Sequence, residues 1–294
     1  MAEVAGAGMT TDDTHDYRRR DVALQTAGNM RTTAVSALSW RAMNTRRTRA
    51  TFEEADIALE QTLGELDQSV PNYNEWLRCL VEPASRGRVL EVGAGVGTFT
   101  LALLKSAEHV VAVEPSERGS SALRHATAND LRVTVVHGYV ADAGTAGPFD
   151  GAVLSNVLEH IEHDEEALRE LAGVVRPGGY VAVFSPAFQL LMSDFDRSIG
   201  HVRRYRKREL AARFERAGFE IVEARYVNLP GFFAWLLVAR VLRRRPTDSA
   251  LSRFYDRFVV PPTRWVESHA RPPFGQSVLV IGRVRDGRSP RVDR

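Results

Sequence analysis

The chain has 294 residues, of which 44% are hydrophobic and 26% are charged, and its formal net charge is +2. These values suit one large globular domain with additions or two small ones, and they exclude strong overall attraction to nucleic acid. A single cysteine, Cys79, excludes an internal disulfide and suits a reducing compartment. Since the sequence shows no secretory-type apolar core near its N-terminus and no apolar run of ~20 residues, we expect a cytoplasmic protein.

The first part of the chain carries weak structural signals. Residues 1–50 are rich in Ala, Thr, Asp and Arg, so we expect a flexible N-terminal arm with a short helix near residues 22–38. Thr51 and Glu54 then form the Thr-x-x-Glu pattern of a capping box, which predicts the start of a helix. A second helix is predicted from Pro71, because proline is favoured in a first turn.

Short Val-rich segments alternate with helical patterns through the rest of the chain. Strands are predicted at residues 89–92, 109–113, 133–137, 151–154, 180–184, 219–226 and 277–283. Helices are predicted at residues 98–106, 118–127, 164–175 and 207–217, and a turn at residues 176–179. Such alternation is typical of a parallel sheet covered on both faces. We therefore predict an α/β fold with a Rossmann-like, seven-stranded, mostly parallel sheet and helices on both faces.

Two interruptions of this pattern define the predicted domain organisation. The α/β domain is expected to span residues 51–285, and residues 286–294 are expected to form a disordered tail. Within the domain, residues 231–270 break the alternation before the last strand, so we predict a helical lid there. Its apolar front, in which Phe232, Phe233 and Trp235 lie, could cover an apolar ligand. A membrane surface is the less favoured alternative for this segment.

The stretch RVLEVGAGVGTFT, residues 88–100, runs from a predicted strand through three glycines into a helix. The glycines at Gly93, Gly95 and Gly97 have the spacing G-x-G-x-G, whereas the dinucleotide-binding fingerprint has G-x-G-x-x-G. Glu91 lies two residues before the first glycine, where a carboxylate would not favour a pyrophosphate. The loop therefore predicts a ligand with an amino group or positive charge.

VLEVGAGVG resembles motif I of class I S-adenosylmethionine-dependent methyltransferases. The resemblance continues in the order of that family through VVAVEPS, HGYVAD, FDGAVLSNVLEHIEHDEEAL and RPGGYVAVFSPA. It implies S-adenosylmethionine as the cofactor and methyl transfer by in-line displacement to a small-molecule or lipid-linked acceptor. Nucleic acid is not expected as a partner, because the loop SNVLEH lacks the proline-containing motif of the enzymes that methylate base amino groups.

The resemblance also implies cofactor-binding roles for residues that follow the predicted strands. Glu114 is expected to accept hydrogen bonds from the ribose hydroxyls, Asp142 to contact the adenine amino group, and Asn156 to lie near the methionine moiety. The other predicted cofactor contacts are Tyr73, Glu91, Gly93, Ala94, Gly95, Gly97 and Pro115.

Two polar segments supply candidate catalytic residues. His160 follows the fourth predicted strand, where an imidazole can accept a proton near neutral pH, although a positioning role is equally open. LLMSDFDRSIGHVRRYRKREL, residues 190–210, resembles a bacterial methyltransferase subgroup with the pattern D-x-x-x-G-H-x-R-R-Y. It places His201 and Tyr205 among the catalytic candidates, and its arginines suit an acidic group on the acceptor. No metal site is predicted, since the histidines lack ligand spacing.

Other functions remain open at this point. A chain with this fold could bind S-adenosylmethionine without catalysis, for example as a membrane-associated subunit, or it could methylate protein or nucleic acid. The identity of the acceptor, the atom that is methylated and the oligomeric state have no signal in the sequence.

Overall fold

The computed structural model describes residues 70–237 and 249–285. The predicted N-terminal arm, the helix predicted from Thr51 and the predicted tail at residues 286–294 lie outside these ranges. Residues 238–248 of the predicted lid lie outside them as well. Within the described ranges, no helix has both the length and the apolar character needed to cross a membrane.

Seven strands form one sheet in the described chain. They are β1 Gly87–Val92, β2 Ala107–Glu114, β3 Val133–His137, β4 Phe149–Ser155, β5 Val175–Pro186, β6 Phe219–Val227 and β7 Ser277–Val284. Their order across the sheet is β3-β2-β1-β4-β5-β7-β6. The strands β1 to β5 pair in parallel, and β7 is antiparallel to both β5 and β6. The predicted seven-stranded, mostly parallel sheet is confirmed.

Helices connect the strands and cover the sheet. They are α1 Pro71–Leu80, α2 Thr98–Leu103, α3 Glu117–Thr127, α4 Val140–Ala143, α5 Asp164–Val174, α6 Asp194–Ser198, α7 Lys207–Arg216, α8 Leu229–Trp235, α9 Ser249–Phe258 and α10 Val260–His269. Short 3-10 turns lie at Glu82–Ala84, Gly144–Ala146, Leu158–His160 and Gln189–Leu191. The described part of the segment between β6 and β7 is thus mainly helical up to His269, and residues 270–276 connect it to β7 without regular structure.

The sheet has an apolar core on each face, because successive side chains of a strand point in opposite directions. In β1, Leu90 and Val92 belong to one core and Val89 to the other. Side chains of α5 and α7 complete the first core, and side chains of α1, α2, α3 and α10 complete the second. The nearly continuous apolar strands of the sequence follow from this two-sided burial.

Two predicted element boundaries were wrong. Strand β5 begins at Val175, before its predicted start, because Val175 already pairs with Phe149 of β4; the pairing then skips residues 176–179, where the turn was predicted, and resumes at Tyr180. Helix α2 ends at Leu103, before the predicted end, and the amide of Ser106 donates to the carbonyl of Leu103 in a tight turn. Strand pairing and helix ends depend on neighbouring elements, so local patterns locate them poorly.

The carboxyl ends of the parallel strands meet at one edge of the sheet. Strand β6 runs in the same direction as β5, since both are antiparallel to β7, and Pro186, Ser277 and Val227 lie side by side in the pairing register. The helical segment α8 to α10 follows β6 and therefore starts at this edge. Ligands of open α/β sheets bind at the carboxyl edge.

The contact between β4 and the turn at Glu82–Ala84 yields a stability prediction. A Cβ at Gly151 would collide with the backbone carbonyl of Ala84, so Gly151→Ala should lower the free energy of unfolding by about 1–3 kcal/mol through overpacking. Urea unfolding followed by circular dichroism measures the change. Gly173→Ala is the matched control, because a Cβ there meets no atom within 4 Å and the residue lies in α5. Equal stability of both variants would contradict the prediction.

Candidate functional site

The glycine loop leaves β1 at the carboxyl edge and bends sharply into α2. The amides of Gly93 and Ala94 both donate to the carbonyl of Val113 in β2, at 2.8 and 3.1 Å. Gly93, Gly95 and Gly97 have φ angles of 70°, 55° and 90°, in the left-handed region that favours glycine. A Cβ at Gly95 would meet no atom within 4 Å, so the loop borders open space at this position.

Glu114 ends β2 and holds the glycine loop. Its Oε2 accepts from the amide of Gly95 at 2.8 Å, and its Oε1 accepts from the amide of Ser116 at 2.9 Å. The residue is 8% exposed. Gly119 of α3 packs so closely that a Cβ there would lie 2.9 Å from the Cγ of Glu114. The carboxylate is therefore fixed between the loop and α3, beside the open space at Gly95.

Glu91 lies beneath the loop rather than beside it. Its side chain is buried, and its Oε2 accepts a hydrogen bond from the Oγ1 of Thr100 at 2.5 Å. Since Thr100 belongs to α2, this bond ties the helix to β1. The sequence singled out Glu91 as a cofactor contact but did not single out Thr100, whose role depends on the fold.

The residues after β2, β3 and β4 also lie at this edge. Asp142 caps α4, since its Oδ2 accepts from the amide of Tyr139 at 2.9 Å. The carbonyl of Pro115 lies 3.1 Å from the Nε2 of His137, in hydrogen-bond range. Asn156 is exposed and has a φ of 54°, a left-handed conformation that asparagine tolerates better than most residues. The capping bond explains the orientation of Asp142, and cofactor contact remains a prediction for all three predicted residues.

Tyr73 lies in α1 and packs against the core. Its ring makes edge contacts with Trp76 and Phe184, with ring centroids 6.1 and 6.3 Å apart. Its amide donates to the Oδ1 of Asp256 in α9 at 2.8 Å. This packing positions α1 against the segment between β6 and β7, and a cofactor contact of Tyr73 remains a prediction.

Glu159, His160 and His201 form a polar cluster where β4 ends. Glu159 is fully buried, and its Oε2 accepts from the Oγ of Ser185 in β5 at 2.8 Å. The Nε2 of His201 lies 3.7 Å from the Oε1 of Glu159, and the rings of His160 and His201 are edge to face with centroids 4.6 Å apart. The amide of Val202 donates to the carbonyl of Glu159 at 3.0 Å, which joins the two segments. The structure thus brings both predicted histidines together.

The electrostatics of this cluster follow from its burial. Desolvation raises the pKa of Glu159 above its usual range, although the charge of His201 and the hydrogen bond from Ser185 oppose the shift. Desolvation and the neighbouring His201 lower the pKa of His160 well below its usual range. The His160 ring is therefore neutral at pH 7 and can act as a proton acceptor or as a ligand.

Asp196 of α6 positions His201. Its Oδ1 lies 3.0 Å from the Nδ1 of His201 and accepts from the Nη2 of Arg204 at 2.7 Å, while its Oδ2 accepts from the Oγ of Ser193 at 2.6 Å. Desolvation raises the pKa of Asp196, but the His201 hydrogen bond and the Arg204 charge outweigh it and hold this pKa below its usual range. The guanidinium of Arg204 also stacks over the ring of Trp235 in α8, 4.9 Å from its centroid.

Tyr205 is buried in the core, and its catalytic role remains a prediction. The side chain is 1% exposed, and its hydroxyl donates to the Oδ2 of Asp164 at 2.8 Å. Burial and the charge of Asp164 raise the pKa of Tyr205 far above its usual range. Because the hydroxyl is enclosed and already bonded, the packing and hydrogen bonds of Tyr205 account for its presence in the segment without an acceptor.

The arginines of the same segment also bind within the protein. The Nη1 of Arg203 lies 2.5 Å from one oxygen of Asp164, and the Nη1 of Arg213 lies 2.8 Å from the other. Arg204 pairs with Asp196. The expectation that these arginines receive an acidic group of the acceptor is therefore not supported by their positions.

The polar cluster is also a set of metal-binding donors. One ligand atom from each of Glu159, His160 and His201 lies within 4.8 Å of the others. Sequence analysis predicted no metal site, because the histidines lack the spacing of metal ligands in the sequence. The Glu159-His160 pair was visible in the sequence, but its proximity to His201 was not.

Known proteins share part of their sequence with this chain. The methyltransferase domain family matches residues 71–224, slightly more than half of the chain. A demethylmenaquinone methyltransferase of Clavibacter sepedonicus is 33% identical over 154 residues, which are 50% of this chain and 62% of that protein. A ubiquinone biosynthesis O-methyltransferase of Bordetella avium is 28% identical over 110 residues, 36% of this chain and 46% of that protein. The chain thus spans less than two thirds of either relative.

Solved structures share the fold at low sequence identity. A Haloferax volcanii methyltransferase, solved in complex with a methyltransferase activator, has a TM-score of 0.54 at 16% identity, over 80% of this chain and 98% of that chain. A Thermotoga maritima S-adenosylmethionine-dependent methyltransferase has a TM-score of 0.52 at 20% identity, over 81% of this chain and 100% of that chain. The chain belongs to the methyltransferase domain family, whose model matches residues 71–224, and it shares the fold of these two methyltransferases.

Proposed function

We propose that this enzyme methylates an apolar, ring-bearing small molecule, free or lipid-linked, between the glycine loop and the cluster of Glu159, His160 and His201. The observation that carries the proposal is a group of aromatic side chains around the ends of β5 and β6, next to that cluster. The chain belongs to the methyltransferase domain family, and the activity, the cofactor, the acceptor and the residue roles are the proposal.

The cofactor side of the proposal rests on the loop. Gly95 borders open space, and the carboxylate of Glu114 is fixed next to it by two backbone amides. A fixed carboxylate can accept further hydrogen bonds from a pair of ribose hydroxyls. Bound there, S-adenosylmethionine supplies an activated methyl group, whose transfer is an in-line displacement from sulfur. The role of the chain is to hold the two reactants in line and to exclude water.

The acceptor side of the proposal rests on stacked aromatic rings. Phe188, which follows β5, stacks on Tyr226 of β6 with centroids 4.7 Å apart, and it meets Phe232 of α8 edge to face at 5.8 Å. Phe232 in turn contacts Phe274 at 4.9 Å. Trp235 extends this aromatic group, and the guanidinium of Arg204 lies over its ring. Arg204 and His201 both bond to the carboxylate of Asp196. Aromatic walls favour flat, apolar ligands through contact area and ring stacking.

An apolar surface on α9 and α10 supports a lipid-linked acceptor. Its exposed members are Leu251, Phe254, Phe258, Trp265 and Val266, which are 50–67% exposed. The acids of these two helices, Asp256 and Glu267, are instead buried and bonded to backbone amides. The exposed charged side chains of α9 are arginines, Arg253 and Arg257. Apolar side chains among basic ones suit contact with a lipid surface.

The names of two relatives agree with this chemistry. One is a demethylmenaquinone methyltransferase and the other a ubiquinone biosynthesis O-methyltransferase. A quinone-like or phenolic ring would fit the aromatic residues around Phe188 and Phe232. The cluster of Glu159, His160 and His201 would then lie near the group that loses a proton when the methyl group is added.

The proposed cofactor contact predicts a loss of affinity in Glu114→Ala. Hydrogen bonds to a charged group contribute about 1.5–3 kcal/mol, so the dissociation constant for S-adenosylhomocysteine should rise about 10- to 150-fold. Isothermal titration calorimetry measures it, and thermal melting checks that the variant is folded. Glu117→Ala is the control, because Glu117 lies near Glu114 but its side chain is 90% exposed. Unchanged affinity in Glu114→Ala would remove the carboxylate from the cofactor site.

The acceptor class can be tested with methyl-labelled S-adenosylmethionine and an extract of the organism that carries the protein. We expect label in the organic-soluble fraction, because the acceptor is apolar. The Phe232→Ala variant should transfer less label than Phe233→Ala, since Phe233 is 56% exposed and Phe232 packs against Phe188. Label confined to the aqueous fraction would refute an apolar acceptor. Label in the precipitate would instead identify a macromolecular one.

A further inference from the structure

We propose that Glu159, His160 and His201 bind one divalent transition-metal ion, such as Zn²⁺, next to the acceptor. Binding of the ion is a property of these three side chains alone. The proposed role of the ion is to hold a hydroxyl of the acceptor and to lower the pKa of that hydroxyl. This role rests on the proposed function.

The first argument is an unsatisfied carboxylate oxygen. Glu159 is 0% exposed, and although its Oε2 bonds to Ser185, its Oε1 has no hydrogen-bond partner among the described residues. Buried charged oxygens without a partner are costly, so proteins pair them or use them to coordinate metals. The Nε2 of His201 lies 3.7 Å from this Oε1, too far for a hydrogen bond. Two ligands of a tetrahedral Zn²⁺ lie about 3.3 Å apart, close to this spacing.

The second argument is the orientation of His201. The contact of its Nδ1 with the carboxylate of Asp196, at 3.0 Å, fixes the ring so that Nε2 faces Glu159. A carboxylate on the far nitrogen is the usual support of a metal-binding histidine, because it fixes the tautomer and strengthens the ligand. Asp196 is itself held by Arg204 and Ser193, so the support is rigid.

The third argument is that the donors are already assembled. The ligand atoms of the three residues lie within 4.8 Å of one another, and His160 is the most exposed of the three. The bond from the amide of Val202 to the carbonyl of Glu159 holds the two segments together.

The donor set selects the kind of ion. Two imidazoles and one carboxylate suit Zn²⁺ and its first-row neighbours, whereas Mg²⁺ and Ca²⁺ prefer oxygen ligands throughout. Three protein ligands leave a coordination position open, as in catalytic zinc sites. A hydroxyl of the acceptor at that position would become more acidic and would release its proton to water. Its oxygen would then form the bond to the methyl carbon as the carbon–sulfur bond breaks, and the electron pair of that bond would stay on sulfur.

Metal binding can be measured without any acceptor. The purified full-length chain is treated with a chelator, desalted and titrated with ZnCl₂ by calorimetry, with thermal melting in parallel. We expect one Zn²⁺ per chain and a melting temperature that rises with Zn²⁺, because the ion binds the folded state. Absence of stoichiometric binding would overturn the proposal.

Variants identify the ligands. Glu159→Gln and His201→Ala should each weaken Zn²⁺ binding by at least 100-fold and abolish the Zn²⁺-dependent rise in melting temperature, even where the apo protein remains folded. Asp196→Asn should weaken binding about 10- to 100-fold through the second ligand sphere. His163→Ala is the control, since His163 is an exposed histidine on the same segment and should bind as the wild type does. Equal affinity in the wild type, Glu159→Gln and His201→Ala would overturn the assignment.

CoCl₂ provides a spectroscopic check on coordination. Substitution of Co²⁺ should give visible absorption typical of a four- or five-coordinate site, and Glu159→Gln should lose it. Since these readouts need no methyl transfer, they separate the two proposals. Metal binding with label in the aqueous fraction or in the precipitate would refute the apolar acceptor alone, and organic-soluble label without metal binding would refute the metal site alone.

Discussion

Parallel pairing of the central strands is the constraint on which the whole site depends. Because β1 runs parallel to β2 and β4, and β4 runs parallel to β5, four strand ends and the loops that follow them lie at one edge. The glycine loop, Glu114 and the Glu159-His160 pair are thereby brought to the same side of the sheet. Their separation is set by the spacing of neighbouring strands, so the backbone pairs fix the distance between the cofactor side and the acceptor side.

Two buried carboxylates organise the acceptor side. Asp164 bonds to Arg203, Arg213 and the hydroxyl of Tyr205. Asp196 bonds to Arg204 and His201. Each acid compensates cations that could not be buried alone. The dense polar pattern of this segment therefore serves mainly to hold the chain in place. His201 is the member whose second nitrogen remains directed at Glu159, and this links the stability of the segment to its function.

The segment between β6 and β7 contributes the exposed apolar side chains of α9 and α10. Asp256 in α9 accepts from the backbone amides of Asn72 and Tyr73, and Glu267 in α10 accepts from those of Asn228 and Leu229. These carboxylates fasten the helices to α1 and to the start of α8. Because the acids point inward, the outer surface of α9 and α10 presents aromatic, aliphatic and basic side chains. The same bonds that fix the helices thus set the character of the surface beside the site.

The sequence by itself determined the sheet, the glycine loop and the family. The β/α alternation and the spacing of Gly93, Gly95 and Gly97 are local patterns, which can be identified without knowledge of long-range contacts. Strand ends and the tight turn after α2 were less accurate, since pairing partners decide them. Only the tertiary structure decided which polar side chains are buried in the core and which come together at the carboxyl edge of the sheet. Tyr205 shares the polar pattern of His201, yet the fold directs it into the core. His160 and His201 meet because the chain after α6 folds back onto the end of β4, and contacts between distant residues depend on the path of the chain.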